Sequence, residues 1–369
     1  MQPSERVRED VREFAPYVPG LSMDEIRERY GLNRIIKLAS NENPLGASPL
    51  VKRVLARKAD TVFRYPRSGN PALVAGFAAA HGLPAACVVA GNGSDEIIDL
   101  LVRVTAQPGR DNVVAFSPCF SIYVQQTRLC GVELRQQPLG PDFRFDFSAL
   151  TRLVDEHTAL VFVTNPDNPS GYAVPADELI RLARELPEKA LLVVDEAYAD
   201  FAEPEAAYSM LARFGQCDNV VVLRTFSKLY GLAGLRLGFG AMPEWLADTM
   251  LRVKLPFSVN LLAEAAGLAA LEDKPFLEAS RDTVVAGRRR LTRELADCGC
   301  QVFPSQANFL MVTPPKPALD VYEALLARGI IVRSLKSYGL PDKLRISIGN
   351  DEENTALLEA MRDILHHGR

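Results

Sequence analysis

Short, mostly apolar runs recur along the first two-thirds of the chain, at 88–89, 113–116, 132–134, 160–164, 191–194, 220–223 and 235–239. Runs of Val, Leu and Ile with little polar alternation are what strands buried on both faces of a parallel sheet require. Between them lie stretches with helical spacing. One is opened by Asn70 as N-cap with Pro71 at the first helical position and stopped by Gly82; others fall at 94–105, 120–130 and 175–186. Strands alternating with helices predict an α/β fold with a mostly parallel, helix-covered sheet. The pattern then changes. Helical periodicity dominates 243–298, with a long helix after Lys274, and shorter strands at 309–312, 330–332 and 344–348 enclose a helix over 318–328. That stretch predicts a second, smaller α+β domain.

The N-terminal segment fits neither pattern. Residues up to about 13 are charged and lack an apolar core, so they read as an arm and not as a signal peptide. The stretch 14–20, FAPYVPG, is expected to be extended, and Ser22 with Glu25 forms a capping box for a short helix ending near Gly31. Loops at 39–46 and 63–69 are too rich in Asn, Pro and Gly for regular structure. The expected division of the chain is an arm over 1–30, a large domain over 45–255, and a small domain made of 31–44 and 256–369.

Composition narrows the function classes. With 369 residues, 48% of them hydrophobic, a formal net charge of −4 and no basic run, the chain is expected to be soluble and globular, without a nucleic-acid surface. No apolar stretch approaches the ~20 residues of a membrane helix. Six cysteines without a CxxC pair and only four histidines predict reduced cytoplasmic thiols and no metal site.

Candidate chemistry gathers at strand ends. The run at 220–223 breaks into Arg224, Thr225, Phe226, Ser227 and Lys228, and open α/β sheets place ligands in the crevice at the carboxyl ends of their strands. The hydroxyls of Thr225 and Ser227, with Arg236 further on, can cradle a phosphate and leave Lys228 as a nucleophile. A lone Ser-Lys pair is ordinarily a surface feature, but two more strand ends change that. The run at 191–194 ends on Asp195 with Tyr198 three residues later, and 160–164 leads into a Pro/Asn loop carrying Asn168. The glycine stretch 91–96 enters the helix 94–105, whose first N–H groups, at Ser94 and Asp95, can hold an anion. It lacks the third glycine of a dinucleotide fingerprint. An amine, a carboxylate and an amide converging on one crevice are what pyridoxal 5'-phosphate needs: a lysine for its aldehyde, a buried carboxylate for its ring nitrogen, hydrogen-bond donors for its phenolic oxygen.

Motifs spread over nearly the whole chain extend that reading. They are APY at 15–17, NENP at 41–44, RYP at 64–66, GNGSDE at 91–96, NPDNPSG at 165–171, DEAY at 195–198, RTFSK at 224–228, GLAGLRLGF at 231–239, NF at 308–309, VR at 332–333 and LRISIG at 344–349. Each is weak alone, but their joint order resembles the fold-type I pyridoxal-phosphate aminotransferases, in particular the histidinol-phosphate aminotransferases. The resemblance implies that Lys228 binds the cofactor and shuttles a proton, that Asp195 meets the ring nitrogen, and that Asn168 and Tyr198 meet the phenolic oxygen. It implies that Ser94, Asp95, Ser227, Arg236 and, less centrally, Thr225 hold the phosphate. Phe120 stands where the family often stacks a tyrosine on the ring. Tyr65 matches a tyrosine that reaches the phosphate from a second subunit, so a homodimer with shared sites is expected. Arg345 matches the arginine that takes the substrate carboxylate, Arg333 and Tyr17 match residues used for the phosphate of histidinol phosphate, and Asn43 of NENP is placed at the substrate.

The implied reaction is transfer of an amino group between L-histidinol phosphate and 2-oxoglutarate, giving imidazole-acetol phosphate and glutamate, in the cytoplasm. Two alternatives keep the cofactor: an aromatic amino-acid aminotransferase and a threonine-phosphate decarboxylase. A third is a non-enzymatic cofactor-binding regulator, against which the acidic charge balance weighs.

Overall fold

The computed structural model describes residues 6–12, 14 and 23–367. Its strands, in chain order, are β1 (Ile36–Lys37), β2 (Val88–Asn92), β3 (Asn112–Ser117), β4 (Glu133–Pro138), β5 (Thr158–Thr164), β6 (Leu191–Asp195), β7 (Val220–Thr225), β8 (Leu237–Ala241), β9 (Gln301–Val302), β10 (Phe309–Thr313), β11 (Ile330–Ile331), β12 (Arg333–Ser334) and β13 (Leu344–Ser347). Seven of them build one sheet in the order β2-β8-β7-β6-β5-β3-β4. Strands β3 to β7 pair in parallel, and only β8 runs against both its neighbours.

Every residue of β5, β6 and β7 is buried, which is why the sequence shows no polar alternation there. Successive side chains nevertheless part to two cores. Val161, Val163, Leu192, Val194 and Val222 enter one; Leu160, Phe162, Val193, Val221 and Leu223 enter the other, beneath the helix Gly93–Thr105. With both faces spent on packing, only the strand ends are left for chemistry.

The smaller domain is built on an antiparallel sheet in the order β12-β13-β10-β9. The helices Lys274–Asp297 and Asp351–Arg362 pack together beside it. A two-stranded parallel pair, β1 with β11, ties residues before the large sheet to the small domain.

Several local expectations need correcting. The apolar run at 330–332 is not one strand: Ile330 and Ile331 pair with β1, whereas Arg333 and Ser334 pair with β13, so the chain changes partner at Val332. The strand expected at 235–239 starts only at Leu237, because Arg236 adopts a left-handed conformation (φ 54°) that no strand accommodates. The glycine stretch at 91–96 is no loop, since β2 continues to Asn92 and the helix begins at Gly93, whose φ of 73° makes the corner. Asn70 precedes its helix but does not cap it with its side chain; the amide bonds Val259 O and Glu264 instead. Gly82 does stop that helix in the left-handed conformation expected of it. Ser22 of the expected capping box lies outside the described residues, although the helix Met23–Tyr30 forms. Among the described residues no helix is long and apolar enough to cross a membrane.

Candidate active site

A cavity of about 190 Å³, small-molecule in scale, lies at the carboxyl ends of β5, β6 and β7. Its wall brings together Ser94, Asp95, Phe120, Asn168, Asp195, Tyr198, Thr225, Ser227, Lys228 and Arg236, all singled out from sequence, and adds Thr164, Ala197 and Ala233. Parallel pairing explains the convergence. Thr164 is the register partner of Asp195, Asp195 pairs with Leu223, and β7 runs two residues further to Thr225, so three neighbouring strands end at the same edge of the sheet.

One end of the cavity is a cluster of donors. Thr225 Oγ1 and Ser227 Oγ lie 3.0 Å apart, and Arg236 reaches Ser227 Oγ at 3.4 Å and Asp95 at 2.8 Å. Ser94 and Asp95, in the first turn of the helix Gly93–Thr105, line this end of the cavity, where the helix adds its positive dipole end. The approach is close enough to exclude side chains. A Cβ on Gly238 would sit 2.4 Å from Ser94 N, and one on Gly93 would sit 2.7 Å from the Arg236 guanidinium.

Opposite lies a buried acid. Asp195 is 3% exposed. Burial pushes its carboxyl up to about 6, and the bonds from Tyr123 and the Ala197 N–H pull the other way. Lys228 stands between the two ends, its Nζ donating to Ser40 O at 3.2 Å and lying 5.6 Å from the centre of the Tyr198 ring. Burial lowers its ammonium to about 8, and the positive charge of Arg345 adds to the shift. The Tyr198 hydroxyl accepts from Asn41 Nδ2 at 3.3 Å, and burial pushes it up to about 12, so it stays a phenol at neutral pH. Phe120 meets Tyr123 edge-on, with ring centres 5.7 Å apart.

The small domain meets the site behind Asn168: Arg345 and Arg333 do not line the cavity themselves. Arg345 donates to Asn168 Oδ1 at 2.6 Å and to Ala39 O at 2.9 Å, while its buried Nε has no partner among the described residues. Arg333 is its cross-strand partner on β12, which puts two cations on one face of the sheet. Asn43 departs from expectation. Its Nδ2 is spent on Leu229 O and Ser280 Oγ, so it fastens the loop, and Asn41 two residues earlier is the one that meets Tyr198. Tyr65 does not line the cavity; it is 80% exposed and stacks on Phe257 with ring centres 4.8 Å apart. Tyr17 lies outside the described residues. Tyr123, Thr164, Asn41 and Ser40 went unnoticed in the sequence. Tyr123 falls one helical turn after Phe120, a spacing that put it within reach of the same wall.

A family model for aminotransferase class I and II matches residues 33–361. The chain belongs to that family. Among its members, the histidinol-phosphate aminotransferase of Nitratidesulfovibrio vulgaris (strain Hildenborough) is 58% identical over 361 residues, which cover 98% of this chain and 97% of that one. The histidinol-phosphate aminotransferase of Oleidesulfovibrio alaskensis is 56% identical over 363 residues, covering 97% and 95%. The crystal structure of histidinol-phosphate aminotransferase from Sinorhizobium meliloti in complex with pyridoxal-5'-phosphate superposes with a TM-score of 0.87 at 28% identity, over 98% of this chain and 97% of that one. The fold is thus the fold-type I aminotransferase fold expected from the motif order.

Proposed function

We propose that this aminotransferase uses pyridoxal 5'-phosphate to move an amino group between L-histidinol phosphate and 2-oxoglutarate, giving imidazole-acetol phosphate and glutamate. The observation that carries the cofactor is the seating of Lys228, Asp195 and the Ser227–Arg236 cluster around one small cavity. The donor set fits the group. A dianionic phosphate suits a helix start, two hydroxyls and an arginine, in a cradle that a Cβ at Gly93 or Gly238 would fill. A buried carboxylate suits a ring nitrogen that must keep a proton. When bound, the cofactor supplies an aldehyde that captures amines and a ring that accepts electron density from the substrate.

The protein's own part follows from its geometry. Lys228 would hold the cofactor's aldehyde through Nζ, and its amine would move a proton at the substrate Cα. Asp195 holds the ring nitrogen's proton through its carboxylate. Asn168 and Tyr198 donate toward the phenolic oxygen, Asn168 being oriented by Arg345, which occupies its Oδ1. Arg345, held against Asn168 at the edge of the site, would take a substrate carboxylate with its guanidinium. The neighbouring Arg333 offers a second cation for a substrate phosphate. We also read the chain as a cytoplasmic homodimer divided at the boundaries given above, with Tyr65 serving the partner's site.

The identity of the substrate rests on the 58% relative, and a direct test separates it from other amines. In single-turnover reactions watched through the cofactor's visible band, histidinol phosphate should react faster than phenylalanine or threonine phosphate. Phenylalanine reacting fastest, or carbon dioxide released from threonine phosphate, would replace this substrate and leave the cofactor chemistry intact.

A further inference from the structure

Asp195 carries a buried negative charge with little support. Among the described residues no ion pair forms to it; its carboxylate accepts only the Ala197 N–H at 3.1 Å and the Tyr123 hydroxyl at 2.7 Å. Tyr123 is itself 1% exposed, on the helix Ser121–Leu129, with its ring stacked on Phe162 at 4.4 Å between centres. A phenylalanine would fill that space as well. The hydroxyl is therefore not explained by packing, and burying one unsatisfied would be costly. It has two partners, Asp195 and Thr164 Oγ1 at 2.9 Å. A tyrosine has one proton to give, and ionised Asp195 can only accept, so Thr164 must donate to the tyrosine oxygen. The hydrogen bonds then run one way: Thr164 to Tyr123 to Asp195.

We propose that Tyr123 is a positioning residue for the reaction, its hydroxyl keeping Asp195 a carboxylate and so keeping the shared proton on the cofactor's ring nitrogen. The inference rests on the cofactor reading above. Two arrangements compete for that proton: a pyridinium facing a carboxylate, or a neutral pyridine facing a carboxylic acid. Desolvation favours the neutral pair, whereas a donor to the carboxylate favours the charged one. Burial moves the Asp195 carboxyl up and the Tyr123 bond moves it down, and burial holds Tyr123 well above its ordinary range, so it remains a donor. Two donors bear the charge, and removing one shifts the balance toward the neutral pair.

The test is Tyr123→Phe, loaded with cofactor labelled at the ring nitrogen and followed by nitrogen NMR. The labelled signal should move from the protonated toward the neutral position. The turnover number should fall roughly 10- to 100-fold with KM for the amino donor little changed, the loss expected for one charge-assisted bond. An unmoved signal in a loaded Tyr123→Phe variant would overturn the inference while leaving the proposed function standing. Wild-type protein that takes up no cofactor would instead overturn the reading on which both rest. Should Tyr123→Phe not fold, Thr164→Val carries the test, since it removes the hydroxyl that donates to Tyr123 at nearly constant volume. Its signal must move in the same direction, by less, and an unmoved signal there also rejects the idea.

Discussion

Lys228 is prepared for its task mainly by where it is buried. A lysine amine attacks only when neutral, and in water that state is scarce below its ordinary pKa near 10.4. Here burial, with the charge of Arg345 added, brings the ammonium down to about 8. The sign follows directly: the fold disfavours the charged form, so the neutral fraction grows as pH rises, reaches about half near pH 8 and is nearly complete about one unit above it. Cofactor uptake by cofactor-free protein should therefore climb about tenfold per pH unit below about pH 8 and level off beyond it. Lys228→Ala should take up cofactor reversibly at best and lack transamination. A rate still climbing at pH 10 would mean that Lys228 is ordinary, and turnover by the alanine variant would remove it from the chemistry. The sequence showed this residue because a lysine after a buried strand is odd beside a strand-end aspartate. It could not show which asparagine of NENP meets Tyr198. That choice depends on Asn41 adopting a φ of 55° and on Asn43 being consumed by Leu229 and Ser280. Tyr123 was hidden for a related reason, since an aromatic on the inner face of a helix reads as core whether or not its hydroxyl has work.

At the scale of elements, the strands of the large sheet were legible because burial on both faces leaves unbroken apolar runs. Their ends were legible because polar residues follow abruptly. The short strands of the small domain were less so, because two-residue pairings such as β11 and β12 are set by neighbours distant in the chain. The cross-strand pairing of Arg333 with Arg345 was invisible for that reason. The helix Asp351–Arg362 was overlooked although Asn350 and Glu353 form a capping box at its start. The junction of β8 with the helix Gly93–Thr105 gives a prediction at this scale. Alanine at Gly238 would press its Cβ against backbone atoms, Ser94 N at 2.4 Å and Gly93 C at 2.7 Å. Backbone cannot rotate aside as a side chain can, so the helix start must move away from the anion cluster. Gly238→Ala should weaken cofactor binding at least about tenfold and cost ~1–3 kcal/mol in stability, as overpacking does. Gly234 is the control: nothing lies within 4 Å of its would-be Cβ, so Gly234→Ala should change neither. Equal effects at both glycines, by cofactor titration and thermal unfolding, would refute the backbone clash.

Over the whole molecule, the least settled surface surrounds Tyr65. Val62, Phe63 and Tyr65 are 64%, 73% and 80% exposed, and Phe257 in the same groove is 41% exposed. The groove itself, about 540 Å³, is lined with Leu261 and Leu262 besides. So many large apolar side chains in one place mark an interaction surface, and a second copy of the chain is the occupant that the proposed homodimer supplies. The two copies would bury one another's exposed aromatics across a two-fold axis. They would also deliver each Tyr65 away from its own cavity, whose wall it does not join. Mixing two inactive variants distinguishes this from a tyrosine serving its own chain. In a hybrid of Tyr65→Ala with Lys228→Ala, a shared site pairs the intact Lys228 of one chain with the intact Tyr65 of the other, while the second site carries both lesions. Random reassortment makes about half the dimers hybrid, each with one working site of two, so about a quarter of wild-type activity should return after co-refolding. If Tyr65 serves its own chain, every site in every hybrid keeps one lesion and nothing returns. Differently tagged chains, purified through both tags in turn, isolate the hybrid dimer. Its failure to turn over substrate would assign Tyr65 to its own subunit and remove shared sites from the proposal.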